Sequence, residues 1–215
     1  MNSIHGMIVP LITLLRDAGE IDVPGFKRPC EIQIQSGIHI LFVLGTTGEF
    51  YGLTPQQRRE VVETAVDTAS GRVPVIVGIS GDSTASTLSA LDLAWHGGVS
   101  AYVVSTPYFL TYTQTEFLDY FREIADTVGE AVILYNYPAR FGHVIEVDTI
   151  ETLVKERRVF GIKDTPAISN TCFVSSTSGI LSLHSASSKA PCRISPSRAA
   201  GVLTDPCKPS AICSR

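Results

Sequence analysis

Lys163 interrupts a short apolar run, Val159-Phe160-Gly161-Ile162-Lys163-Asp164-Thr165, bounded by turn-forming residues. The run reads as a buried strand with a lysine at its C-terminal end. The other four lysines lie elsewhere: Lys27 and Lys155 in polar, helix-like stretches, Lys189 and Lys208 in an irregular C-terminal segment. Burial disfavours an ammonium ion and leaves a neutral amine, a nucleophile toward carbonyls; this is the chemistry of a Schiff-base lysine. A lysine at a strand mouth can equally extend its head to water, so other residues must decide. Thr46 and Thr47 lie in Gly45-Thr46-Thr47-Gly48-Glu49. Two hydroxyls beside glycine-flanked N–H groups suit a carboxylate or phosphate, although the same residues make ordinary turns. Tyr135 ends a buried strand with a hydroxyl that needs a partner. Arg140, just past a proline, is either a solvated loop residue or a fork for a substrate carboxylate.

Six strands and their helices must position these groups. Strands are predicted to begin near residues 7, 38, 73, 101, 131 and 159, a spacing close to 30, with a helix after each of the first five. Ile38–Leu44, Val73–Ile79, Ala101–Thr106 and Ala131–Asn136 are near-continuous apolar runs, as in parallel strands buried on both faces. Asp22 with Pro24 starts the first helix, which Pro29 interrupts; Thr54 with Gln57 and Thr113 with Glu116 form capping boxes, and Asp148 with Glu151 caps the last helix. Leu88, Leu91 and Trp95 share a helix face that ends at Gly97-Gly98. Such alternation means a parallel sheet, either open and doubly wound or closed as a (β/α)8 barrel. The stretch from Pro10 to Asp17 contains no glycine, which argues against a phosphate-binding fingerprint after the first strand. Thr46, Thr47, Tyr108, Tyr135 and Lys163 all fall at C-terminal strand ends, where a barrel places catalytic groups.

With 44% hydrophobic and 18% charged residues, the 215-residue chain has the balance of a globular domain. Residues 171–215 hold five basic groups and one acidic group, leaving 12 basic and 20 acidic groups on residues 1–170. That acidic body argues against a nucleic-acid partner. The run Met7 to Leu15 is too short for a membrane anchor and lacks a basic lead, so the expected setting is the cytoplasm, away from membranes. The cysteines show no metal-ligand spacing, and neither a metal site nor a disulfide framework is expected.

Gly45-Thr46-Thr47-Gly48-Glu49, Tyr135-Asn136-Tyr137-Pro138-Ala139-Arg140 and Gly161-Ile162-Lys163-Asp164, on the second, fifth and sixth strands, together resemble the dihydrodipicolinate synthase / N-acetylneuraminate lyase family of pyruvate-dependent class I aldolases. The resemblance covers roughly residues 4–168. It implies a (β/α)8 TIM barrel in which Lys163 forms a Schiff base with pyruvate or another 2-keto acid. Tyr135 would be the general acid/base, and Thr46 and Thr47 would hold the keto acid's carboxylate and relay protons. Arg140 would bind the carboxylate of an aldehyde partner. No cofactor is implied, and relatives are homo-oligomers. Two departures stand out: Pro107-Tyr108-Phe109 replaces Pro-Tyr-Tyr, removing a hydroxyl from the family's proton relay, and Thr13-Leu14-Leu15 replaces Thr-Pro-Phe.

The resemblance stops near Asn170. Residues 171–215 contain eleven serines, four cysteines and four prolines without helical period, so the chain divides into a partial barrel, 1–170, and an irregular tail, 171–215. Strands seven and eight, which spacing would place near 187 and 215, are not recognisable, and a shifted reading frame or truncation is the favoured origin of the tail. The barrel is expected to be incomplete, with its first and sixth strands as open edges. Three functional readings follow: a Schiff-base lyase or synthase, an inactive member with an unclosed barrel, or a noncatalytic carboxylate-binding module.

Overall fold

The computed structural model describes residues 4, 6–94, 97–129, 131–165, 181–184 and 192–196. Six strands follow one another in parallel: β1 (Gly6–Pro10), β2 (Ile40–Val43), β3 (Val75–Gly78), β4 (Val99–Ser105), β5 (Val132–Asn136) and β6 (Gly161–Asp164). Between them run α1 (Val23–Gln35), α2 (Pro55–Ala69), α3 (Thr84–Ala94), α4 (Gln114–Val128), the short α5 (Pro138–Phe141) and α6 (Val147–Lys155). This is a (β/α)8 barrel left incomplete as a series of β/α repeats after the sixth strand. Two short strands stand where further repeats would: β7 (Leu181–His184), parallel to β6, and β8 (Cys192–Pro196), antiparallel to both β7 and β1.

Those two strands close the ring, so β1 and β6 are not the open edges the sequence suggested. Strand edges carry unpaired N–H and C=O groups; here β6 pairs with β7 in a parallel ladder and β1 with β8 in an antiparallel one. Apart from β7 and β8, the expected irregular tail lies outside the described residues, as does Trp95.

The period-two alternation of strands explains the continuous apolar runs. Ile8, Ile40, Phe42, Ile76, Ala101, Val103, Ile133 and Tyr135 pack together inside the barrel. Their neighbours Leu41, Val43, Val75, Val77, Tyr102, Val104, Leu134 and Ile162 pack outward against Phe26, Val61, Phe117 and Phe121 of the helices. By the same alternation Lys163 shares the inward face with Tyr135, its register partner on β5.

Both predicted capping boxes form. Thr54 accepts from the Gln57 N–H while the Gln57 side chain accepts from the Thr54 N–H, and Thr113 and Glu116 do the same on α4. Asp22 caps α1, accepting from the Gly25 N–H. Pro29 does not break α1, because Phe26 and Cys30, both fully buried, hold the helix against the core. The cap of α6 is Glu146, with no side-chain bond, and Asp148 lies in the first turn instead, where a carboxylate complements the helix dipole.

Burial pushes the Cys30 thiol up to about 11, with the Glu31 charge adding to it and a backbone hydrogen bond opposing it. An unfolded chain releases that proton near pH 8.5, roughly the ordinary thiol value. The folded state therefore keeps its proton longer, and the stability this contributes is full below that pH and lost as pH rises toward 11. Urea unfolding midpoints should fall more steeply across this alkaline window for the native chain than for Cys30→Ala. Parallel slopes would show that Cys30 is not proton-linked to folding.

Candidate functional site

β2 ends abruptly. Leu44 takes a left-handed backbone conformation, φ 56°, which turns the chain out of the strand and into Gly45–Gly48. A Cβ on Gly78, at the end of β3, would collide with the Leu44 carbonyl oxygen, so glycine is required for this close approach. The turn is then held by Gly48 N–H to Gly45 C=O at 3.0 Å and by the Thr13 hydroxyl donating to the Gly48 carbonyl at 2.7 Å. Glu49 follows, also left-handed at φ 52°. Two strained non-glycine residues thus bracket Thr46 and Thr47, and such strain concentrates at functional loops.

Inside the barrel, Lys163 is 7% exposed and Tyr135 3%. The Lys163 Nζ lies 3.3 Å from the centroid of the Tyr135 ring and 5.8 Å from that of Phe42. Tyr135 therefore presents its face to the amine. Its hydroxyl points elsewhere, 3.0 Å from Thr46 Oγ1. Lysine, phenol and threonine form one chain of contacts from the interior to the mouth.

At the mouth lies a cavity of about 460 Å³ lined by Thr46, Thr47, Phe50, Tyr51, Tyr108, Tyr137, Arg140 and Phe141. Four of the residues singled out from sequence, Thr46, Thr47, Tyr108 and Arg140, share this wall. Tyr135 and Lys163 do not line it; they lie one side chain further in, joined to it through Thr46. Arg140 rides on α5, a single turn unanticipated from sequence, started by Pro138 and ended by left-handed Gly142. Phe141 on the same turn packs edge-on against Tyr135, ring centroids 5.3 Å apart, and so fixes the floor of the cavity.

Tyr108 has its phenol held above the usual range by burial and by Asp82, with Arg58 opposing. Partial burial lowers the Arg58 guanidinium, which donates to the Leu53 carbonyl at 3.2 Å and sits over the Phe50 ring. Phe109 is 82% exposed. Sequence reasoning missed the aromatic wall apart from Tyr108, and the polar pair behind the site, Asn136 and Asp164, which bond to each other at 2.8 Å. The available signal was two polar residues directly following the two inward-facing ones. Among the described residues no group of three or more His, Cys, Asp and Glu is arranged to hold a metal ion, and no helix is long and apolar enough to cross a membrane.

A family model described as the dihydrodipicolinate synthetase family matches residues 3–180. The chain belongs to this family. It is 36% identical over 164 residues to a 4-hydroxy-tetrahydrodipicolinate synthase of Methylobacterium radiotolerans, a match covering 76% of this chain and 54% of the relative. It is 34% identical over 161 residues to an Escherichia coli relative named provisionally as a 2-dehydro-3-deoxy-D-gluconate aldolase, covering 74% of this chain and 53% of that one. The chain thus spans about half the length of the curated relatives it matches. Among solved structures, a prophage protein of the family from Escherichia coli, in complex with pyruvate, superposes with a TM-score of 0.73 at 32% identity, covering 77% of this chain and 56% of that one. The dihydrodipicolinate synthase of Aquifex aeolicus gives 0.72 at 32% identity, covering 76% and 56%.

The phenol-to-threonine contact is directly testable. Tyr135→Phe and Thr46→Val should each lower unfolding free energy by about 1 kcal/mol, and the double variant should cost less than the two together. Fully additive losses in urea unfolding would show that the two hydroxyls are not coupled.

Proposed function

We propose that this chain carries the active site of a Schiff-base carbon–carbon lyase or synthase acting on pyruvate, or another 2-keto acid, and an aldehyde. The observation that carries the proposal is a buried amine against the Tyr135 ring whose hydroxyl bonds Thr46 at the mouth. The pyruvate complex of the Escherichia coli neighbour supports the choice of keto acid.

In this reading the neutral Lys163 amine adds to the keto carbonyl, and with one proton delivered by Tyr135 the adduct loses water to give an iminium. The iminium draws electrons from the adjacent carbon, so a proton there can depart and the resulting enamine can attack an aldehyde. Cleavage is the same path reversed, and hydrolysis returns the amine. The iminium is itself the electron sink, so no metal or organic cofactor is required. Tyr135 moves the protons, with Thr46 as its partner. Thr46 and Thr47 hold the keto acid's carboxylate, and Arg140, across the cavity wall, pairs with a carboxylate on the second substrate. Phe109 offers no hydroxyl, which leaves proton movement to Tyr135 and Thr46 and withholds the family relay's third group. The proposal includes a cytoplasmic setting, from the sequence reading, and a homo-oligomer, on family resemblance.

Incubation with pyruvate and borohydride should add one reduced pyruvate to Lys163, located by peptide mapping and absent in Lys163→Ala. An adduct elsewhere, or none on a folded chain, would sink the assignment. Arg140→Ala should slow turnover of pyruvate with glyoxylate, the smallest aldehyde bearing a carboxylate, by roughly 10- to 100-fold while leaving the pyruvate adduct unaffected. Equal losses in both would make Arg140 structural.

A further inference from the structure

We infer that Asn136 is a positioning residue for this site: its buried carboxamide fixes the placement of Lys163 beside Tyr135 through Asp164, and anchors the loop behind Arg140. The inference rests on the Schiff-base reading above. Asn136 and Asp164 are 2% and 4% exposed and are register partners one step beyond Tyr135 and Lys163. Alternation turns the latter pair into the barrel and the former pair outward. One step earlier the outward positions, Leu134 and Ile162, are apolar members of the helix-facing core. On these two strands the described outward positions turn polar one step past the lysine.

The carboxamide is satisfied on both sides. Its Nδ2 donates to Asp164 Oδ1 at 2.8 Å and its Oδ1 accepts from the Ile145 N–H at 3.1 Å. A carboxylate can only accept and an N–H can only donate, which decides the orientation of the amide. The Asn136 backbone carbonyl also accepts from the Thr165 N–H at 2.8 Å. Main chain and side chain of one residue therefore clamp the end of β6 immediately after the lysine.

The Ile145 bond reaches the second half of the site. Gln114 donates to the Val144 carbonyl at 2.9 Å and accepts from the Glu146 N–H at 3.1 Å. Two carboxamides thus pin three consecutive residues of the loop that leaves α5, the turn carrying Arg140. Burying an amide and a carboxylate costs solvation that an apolar pair would not. The return is geometric, since displacing a reacting group by about 1 Å can cost on the order of 100-fold in rate.

The experiment compares pyruvate–borohydride trapping rates for the full chain and for Asn136→Ala, Asn136→Asp, the exchange variant Asn136→Asp/Asp164→Asn, and Gln114→Ala. Asn136→Ala and Asn136→Asp should trap at least about tenfold more slowly, the first losing the bond and the second opposing two carboxylates. The exchange variant restores a donor facing an acceptor and leaves an acceptor for the Ile145 N–H, so its rate should return to within about threefold of the native chain. Gln114→Ala should trap at the native rate and lose only turnover with glyoxylate. Native-rate trapping in both Asn136 single variants, or an exchange variant no faster than they are, overturns the inference. If Asn136→Ala does not fold, the single and exchange aspartate variants decide. A native chain that traps no pyruvate refutes the Schiff-base reading and this role with it, whereas native trapping with unaffected variants refutes this role alone.

Discussion

The pairing of β5 with β6 is the constraint on which the site depends. Tyr135 stands opposite Lys163 and Asn136 opposite Asp164, and side chains on neighbouring strand positions face opposite ways. A slip of one residue would send the lysine into the helix layer and bring an aspartate into the barrel. Register is held from outside by the Asn136–Asp164 bond and from inside by the Lys163 amine against the Tyr135 ring. Lysine, phenol and threonine meet because hydrogen-bonded strands admit only one such alignment.

Much of this was legible in the sequence because strong local signals agreed with the tertiary need. Val61, Val62, Ala65 and Ala69 recur at helical spacing behind the Thr54 box, and all four are buried. The apolar runs around Phe42 and Leu134 read as strands buried on both faces, and both faces are covered. Thr46, Thr47, Tyr135, Arg140 and Lys163 could be singled out because each is a reactive or polar type at a strand end or just beyond it. Family membership follows from the same three motifs.

What was not legible depends on contacts between distant residues. Pro29 argues locally against a helix, and burial of Phe26 and Cys30 overrides it. Leu44 is an unremarkable residue for a strand end, and only the room made by Gly78 reveals its left-handed turn. The α5 turn is four residues long, too short for any periodic signal. The closing strands were invisible for a similar reason: β7 and β8 are four and five residues long, and an antiparallel β8 has no place in a repeat read at thirty-residue intervals.

The direction of β8 gives the ring a polarity defect. Strands β1 to β7 all leave at the mouth, whereas β8 enters there and leaves at the foot. The side chains that define the cavity come from the segments that follow β2, β4 and β5, with Lys163 on β6 behind them. The reversed strand sits outside that sector, where it completes the wall without being asked to present a reactive group. The proposed chemistry occupies an arc, and the remainder of the circumference serves as a seal whose strand direction would be of no consequence to the reacting atoms.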